Sequence, residues 1–260
     1  MRVELLGTGG FHPAPDRHTA CVWLPELGLL LDAGTAAFRV VARFAAGDSP
    51  TERLDVLLTH GHLDHTVGLT YLLGLTDRAG RPVETTVHAT RRVLAALETH
   101  LFSPPLFPVQ PIGRFMELCS PTPLAGGATL TTFPLEHPGG STGLRIDGPK
   151  GDGGEAARSL AYVTDTRPVG DETIQRIRGV DLLLHEAYFS DIDAELAEQT
   201  GHCTARDAAE AAASAGAGKL VMMHRNPRAT PEEEATALAE AREVRPDAAY
   251  GFDGQLIELR

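Results

Sequence analysis

Cysteine is scarce: 260 residues hold only Cys21, Cys119 and Cys203, an odd number with no C-x-x-C spacing. That excludes a disulfide framework and a cysteine-rich zinc site, and it fits a reducing, cytoplasmic compartment. Basic charge is also short, with 23 Lys and Arg against 35 Asp and Glu and a formal net charge of −12. Long-range attraction to RNA or an anionic membrane is disfavoured unless bound metal reverses the field locally. No stretch reaches the roughly 18 apolar residues of a membrane-spanning helix. The apolar run after Met1-Arg2 is broken by Gly7, Gly9, Gly10, Pro13 and Pro15, so it does not read as a secretory leader. A phosphate-cradling G-x-x-x-x-G-K-S/T loop is missing, and Gly7-Thr8-Gly9 lacks the third glycine of a dinucleotide fingerprint. What is there, 42% hydrophobic and 22% charged residues, suffices for a sizeable core, and residues 1–260 read as one domain.

Short β-branched or Leu-rich runs predict strands at Val3–Leu6, Cys21–Leu24, Leu29–Asp32, Asp55–Thr59, Thr86–His88, Thr129–Phe133, Leu160–Thr164, Asp181–His185, Leu220–His224 and Leu256–Leu259. Helical patterns occupy Ala36–Ala46, Thr66–Leu75, Arg91–Leu101, Asp171–Ile177, Ala205–Ala215 and Pro231–Glu243. The last two begin with caps: Thr204 stands three residues before Asp207, and Thr230 precedes Pro231 and Glu233. Strands alternating with helices predict an α/β arrangement. The proline-rich Ser103–Pro123 and the Gly-rich Asp147–Arg158 read as surface excursions.

The informative feature is Thr59-His60-Gly61-His62-Leu63-Asp64-His65, directly after an apolar strand. Imidazole nitrogens and carboxylate oxygens are the ligands that zinc and similar divalent ions accept, and a strand end delivers them to a sheet edge. Further ligands are then expected at other strand ends. His137 follows Thr129–Phe133, Asp165 closes Leu160–Thr164, and His224 closes Leu220–Met223.

With these residues assembled, the sequence resembles the metallo-β-lactamase superfamily, whose His-x-His-x-Asp-His signature is matched by His60, His62, Asp64 and His65. Leu6-Gly7-Thr8-Gly9-Gly10, Leu184-His185-Glu186-Ala187 and Gly201-His202-Cys203-Thr204-Ala205 resemble the ribonuclease Z branch, and Leu31-Asp32-Ala33-Gly34 looks like the superfamily's early Asp-x-Gly turn. The resemblance implies a four-layer αββα sandwich, two mixed sheets with helices on the outer faces. It implies two divalent ions, zinc first, with manganese or iron accepting the same set. One ion would be held by His60, His62 and His137, the other by Asp64, His65 and His224, and Asp165 would bridge them. Asp32 would fix ligand orientation through hydrogen bonds. The motifs further imply His202 as proton donor to the leaving oxygen, with His185 and Glu186 positioning or polarising it.

Two such ions bring +4 against −2 from Asp64 and Asp165, leaving a positive hole, and water whose pKa falls from about 15.7 to about 7 attacks as hydroxide. The leading expectation is a phosphodiesterase acting on a small or cyclic phosphodiester or an RNA end. The alternatives are a hydrolase of thioesters, lactones or β-lactams and, from another class, a non-catalytic metal-binding module. In the ribonuclease Z branch an arm that grips transfer RNA lies between the segments matching His137 and Asp165. Here only Pro138 to Thr164 separates them, and Lys150 and Arg158 stand against Asp147, Asp152 and Glu155, so no basic clamp is expected. Without arm or extended basic surface, a small substrate ranks above long precursor transfer RNA. The resemblance extends to a homodimer, of which the sequence itself carries no sign.

Overall fold

The computed structural model describes residues 1–109, 112–149 and 157–259; Lys150, Asp152 and Glu155 of the expected Gly-rich excursion lie outside them. The first sheet holds β1 (Arg2–Gly7), β2 (Cys21–Leu24), β3 (Leu29–Leu31), β4 (Arg53–Leu57), β5 (Glu84–Ala89) and β6 (Arg114–Glu117), with β14 (Gln255–Glu258) on the far side of β1. The second runs β13-β12-β11-β10-β9-β8-β7, formed by β7 (Thr122–Pro123), β8 (Thr129–Leu135), β9 (Ser141–Asp147), β10 (Ser159–Val163), β11 (Leu182–Glu186), β12 (Lys219–Met223) and β13 (Ala249–Tyr250). Each sheet is parallel at one end and antiparallel at the other.

Strand alternation makes the layers. Leu29 and Leu31 point into the space between the sheets while Leu30 points out; Leu182 and Leu184 point in while Leu183 points out. Both faces of both sheets are therefore apolar. Outside the first sheet lie α1 (Phe38–Ala46) and α3 (Arg91–Ala96), while the single turn α2 (Leu63–Thr66) follows β4; outside the second lie α4 (Asp171–Arg176), α6 (Ala205–Ala215) and α7 (Pro231–Val244), with the short α5 (Ala194–Thr200) preceding α6. This is the expected αββα sandwich. In α6 the buried alanines 205, 208, 209, 212 and 215 form one face, and their small side chains let the helix sit close to β11 and β12. Both expected capping boxes form, at Thr204/Asp207 and Thr230/Glu233.

Several expected strands end early: β3 stops at Leu31, β10 at Val163 and β12 at Met223. The residues that follow leave the ladder because Asp32, Asp165 and His224 take left-handed backbone conformations, with φ of 55°, 46° and 51°. The helix expected over 66–75 is instead α2 followed by a 3-10 segment, Val67–Leu72. There the Gly68 N–H donates to the Ala33 carbonyl at 2.8 Å instead of continuing a helical ladder. A Cβ on Gly68 would meet the Gly34 carbonyl oxygen at 2.1 Å, so only glycine permits the contact. Residues 148–158 alone link β9 to β10, which pair from Ser159 opposite Asp147. Those eleven residues are too few for the arm that the resemblance places between His137 and Asp165.

Candidate active site

Every residue expected to hold metal converges at one edge of the sandwich. The first sheet supplies His60 to His65 from the turn after β4, and the second supplies His137 after β8, Asp165 after β10 and His224 after β12. Their donor atoms form two groups, each within 4.8 Å: His60, His62, His137 and Asp165, and Asp64, His65 and His224. Asp165 divides between them. Its Oδ2 lies 3.6 Å from Nε2 of both His60 and His137, while Oδ1 lies 3.2 Å from Nε2 of both His65 and His224. Asp64 Oδ2 approaches His224 Nε2 at 3.3 Å and His65 Nε2 at 3.4 Å.

A surrounding shell aims these rings. Asp32, fully buried, accepts hydrogen bonds from Thr59 N–H (2.8 Å), Tyr162 hydroxyl (3.1 Å) and His65 Nδ1 (2.8 Å), which leaves His65 Nε2 facing the cluster. His137 Nδ1 donates to the Gly201 carbonyl at 2.8 Å. His60 Nδ1 lies 3.0 Å from Thr59 Oγ1, and its buried Nε2 has no hydrogen-bond partner. An orphaned imidazole nitrogen in a dry site is costly unless an ion takes its lone pair, so the donor set fits divalent metal.

Charge is arranged accordingly. Burial pushes the Asp165 carboxyl up, but His224, His65 and His60 outweigh it and hold the group well below the ordinary range. Asp64 is likewise held low against its burial by His65 and His224. Burial lowers the pKa values of His60 and His137. His65 goes the other way: Asp165, Asp32 and Asp64 outweigh its burial and hold it well above the ordinary imidazole value, so binding an ion there displaces a proton.

His202 and Glu186 flank the cluster. The fully buried Glu186 accepts from Thr166 N–H and, at 3.1 Å, from His202 Nδ1. Burial disfavours the His202 imidazolium, but the Glu186 charge and hydrogen bond prevail and push its pKa up to about 9. Its ring stacks on Tyr188 (4.7 Å, 15°) and lies 5.5 Å from the ring of His224. His185 is the correction: the structure does not bring it to His202. Neighbours on a strand face opposite sides, so His185 points under α6, where its Nδ1 donates to the Glu186 carbonyl at 2.8 Å and lies 3.9 Å from the buried Cys203 sulfur.

A trough of about 770 Å³ opens over the cluster, with Phe11, Leu63, Tyr188, Phe189, Asn226 and Arg228 among its walls. Sequence reasoning missed these residues, and only their nearness to ligand motifs marks them. It also missed Gly139-Gly140-Ser141-Thr142-Gly143, which matches the G-x-S-x-G pattern of serine hydrolases. Ser141 is no nucleophile here: it starts β9, is buried, and donates to the Thr164 carbonyl at 3.2 Å.

The model of the beta-lactamase superfamily domain matches residues 28–225. The ribonuclease Z of Gemmatimonas aurantiaca is 30% identical over 310 aligned positions, which take in all of this chain and 96% of that protein. An alignment longer than the 260 residues present means that this relative has segments with no counterpart here. Among solved structures, the metallo-beta-lactamase fold protein YhfI of Bacillus subtilis superposes with a TM-score of 0.77 at 22% identity, covering 99% of both chains. The short form of human tRNase Z superposes at 0.73, also at 22% identity, over 100% of both. With the ligand signature inside the matched region and the same sandwich around it, the chain belongs to the beta-lactamase superfamily and, within it, to the ribonuclease Z-like branch.

Proposed function

We propose that this protein is a metal-dependent phosphodiesterase acting on a small phosphodiester or an RNA end. The single observation that carries the reading is the split Asp165 carboxylate, one oxygen in each donor group, with the His202–Glu186 pair alongside. That geometry suits two divalent ions, and the His/Asp donor set suits zinc. Bound there, such ions supply Lewis acidity toward phosphoryl oxygens and make water nucleophilic at neutral pH.

The chain's own residues do the rest. His60, His62, His137, Asp64, His65 and His224 hold, and Asp165 spans the two groups. Asp32 keeps His65 aimed. With Nδ1 turned to Glu186, His202 presents Nε2–H to the trough and donates that proton to the departing oxygen. Acyl hydrolysis needs the same metal centre but gives no reason for a charged His202 beside a buried carboxylate. The ribonuclease Z name of the relatives supports the phosphoryl reading. The three unpaired cysteines fit a cytoplasmic setting.

The test is hydrolysis of bis-p-nitrophenyl phosphate and of a thioester and lactone panel, with zinc or manganese added. Phosphodiester turnover that disappears in His62→Ala is expected. Turnover of the acyl panel alone, or none above the variant on either, overturns the proposal.

A further inference from the structure

Phe11 is an unusual residue for its position. Its backbone is left-handed, with φ 60°, and this conformation lets its N–H donate to Asp64 Oδ2 at 2.8 Å. Glycine would supply the same N–H without strain. Instead the chain places a large ring there and leaves the residue 55% exposed, on the wall of the trough. The Arg228 guanidinium lies over that ring, its Cζ 4.9 Å from the centroid. Among the described residues no carboxylate pairs with Arg228. Guanidinium and ring both line the trough. Asn226 accepts the Arg228 backbone N–H through Oδ1 at 2.9 Å, which leaves its amide N–H groups free to meet a carbonyl edge.

We propose that Phe11 and Arg228 form a stacking platform that selects phosphodiesters carrying a flat heteroaromatic ring, a nucleobase, next to the reacting phosphate. The inference rests on the phosphodiesterase reading and names the substrate feature that this chain reads. A guanidinium is planar and weakly hydrated, so it stacks on rings on either side. Phe11 is the positioning residue and Arg228 the contacting one. Because one residue carries both the ring and the N–H that fixes Asp64, the platform is held in register with the metal-binding groups.

Two esters with the same leaving group test this in the metal-loaded protein: a nucleoside p-nitrophenyl phosphate and methyl p-nitrophenyl phosphate. The ratio of their kcat/KM values is expected to fall roughly tenfold in Phe11→Ala, mostly through KM. Phe11→Leu, apolar but not flat, is expected to behave like Phe11→Ala, and Phe11→Tyr to keep the ratio. Arg228→Lys, which keeps the charge and loses the plane, lowers it too. Calorimetric titration with a nucleoside monophosphate and with methyl phosphate reads the same preference without turnover. A kinetic ratio and a binding preference that both stay within twofold in Phe11→Ala overturn the platform. If neither ester is hydrolysed, the phosphodiesterase reading is what fails, and the titration decides the platform by itself.

Discussion

Asp32, Asp165 and His224 each stand at a strand end in a backbone conformation that L-residues avoid, at a cost on the order of 1–3 kcal/mol apiece. The strain persists because each must turn its side chain out of the sheet and into the cluster. Against its burial, the His202 imidazolium is favoured first by the charge and hydrogen bond of Glu186 and then by the charges of Asp165 and Asp64. Its raised pKa contributes stability that is complete below the unfolded value of 6.5 and is lost as pH rises through about 9. Removing the Glu186 charge lowers that pKa. Glu186→Gln is therefore expected to move the alkaline limb of the kcat profile to lower pH, while His202→Ala cuts kcat by roughly a hundredfold or more. A limb that stays in place in Glu186→Gln would remove His202 as the proton donor. At this scale the sequence was most legible for the metal ligands: a dense His/Asp motif and strand-end His or Asp residues need no tertiary information. It was least legible for Tyr188, Phe11 and Arg228, which meet only in the folded chain. The placement of His185 was readable from strand alternation, since His185 and Glu186 cannot both face one side.

Elements that carry their own boundary chemistry were recovered closely. Helix α6 begins at its Thr204 cap and ends at Gly216, whose left-handed φ of 62° closes it. Strand β9 was missed because STGLRID mixes polar and apolar residues. Its Gly143 is there because a Cβ would meet the Phe133 ring at 2.1 Å, a contact that composition cannot announce. Strand β8 runs through Pro134, tolerated because β7 pairs only with Thr129 and Leu130 and leaves that end of β8 an edge. The Thr204 capping box does more than start a helix, since it anchors the chain two residues after His202. Thr204→Ala is expected to cost about 1 kcal/mol, lowering the thermal midpoint by roughly 2–4 °C. It should also lower kcat more than it changes KM. Calorimetry and steady-state kinetics check both, and a midpoint unchanged within error would deny the cap this role.

For the whole molecule, the apolar layer between the sheets brings together two sets of ligands that neither sheet holds alone. Ions bound to the native arrangement and absent from the unfolded chain stabilise by mass action, about 4 kcal/mol at a thousandfold excess over Kd. Chelation is expected to lower the thermal midpoint by on the order of 10 °C, and zinc to restore it. A midpoint indifferent to chelator would show that the donor cluster holds no ion in solution. Strand–helix alternation made an α/β arrangement legible and the family resemblance implied its αββα layering; of the antiparallel strands at the outer end of the second sheet, β8 was expected and β7 and β9 were not.

Asp64 and His224 stand 160 positions apart in the chain yet meet at one point. At about 5–20 residues per second of ribosomal synthesis, roughly 10–30 s pass between the emergence of the two. His137 and Asp165 join His60 and His62 within that interval, but Asp64 and His65 wait for His224, so closing the second donor group belongs to the last act of manufacture.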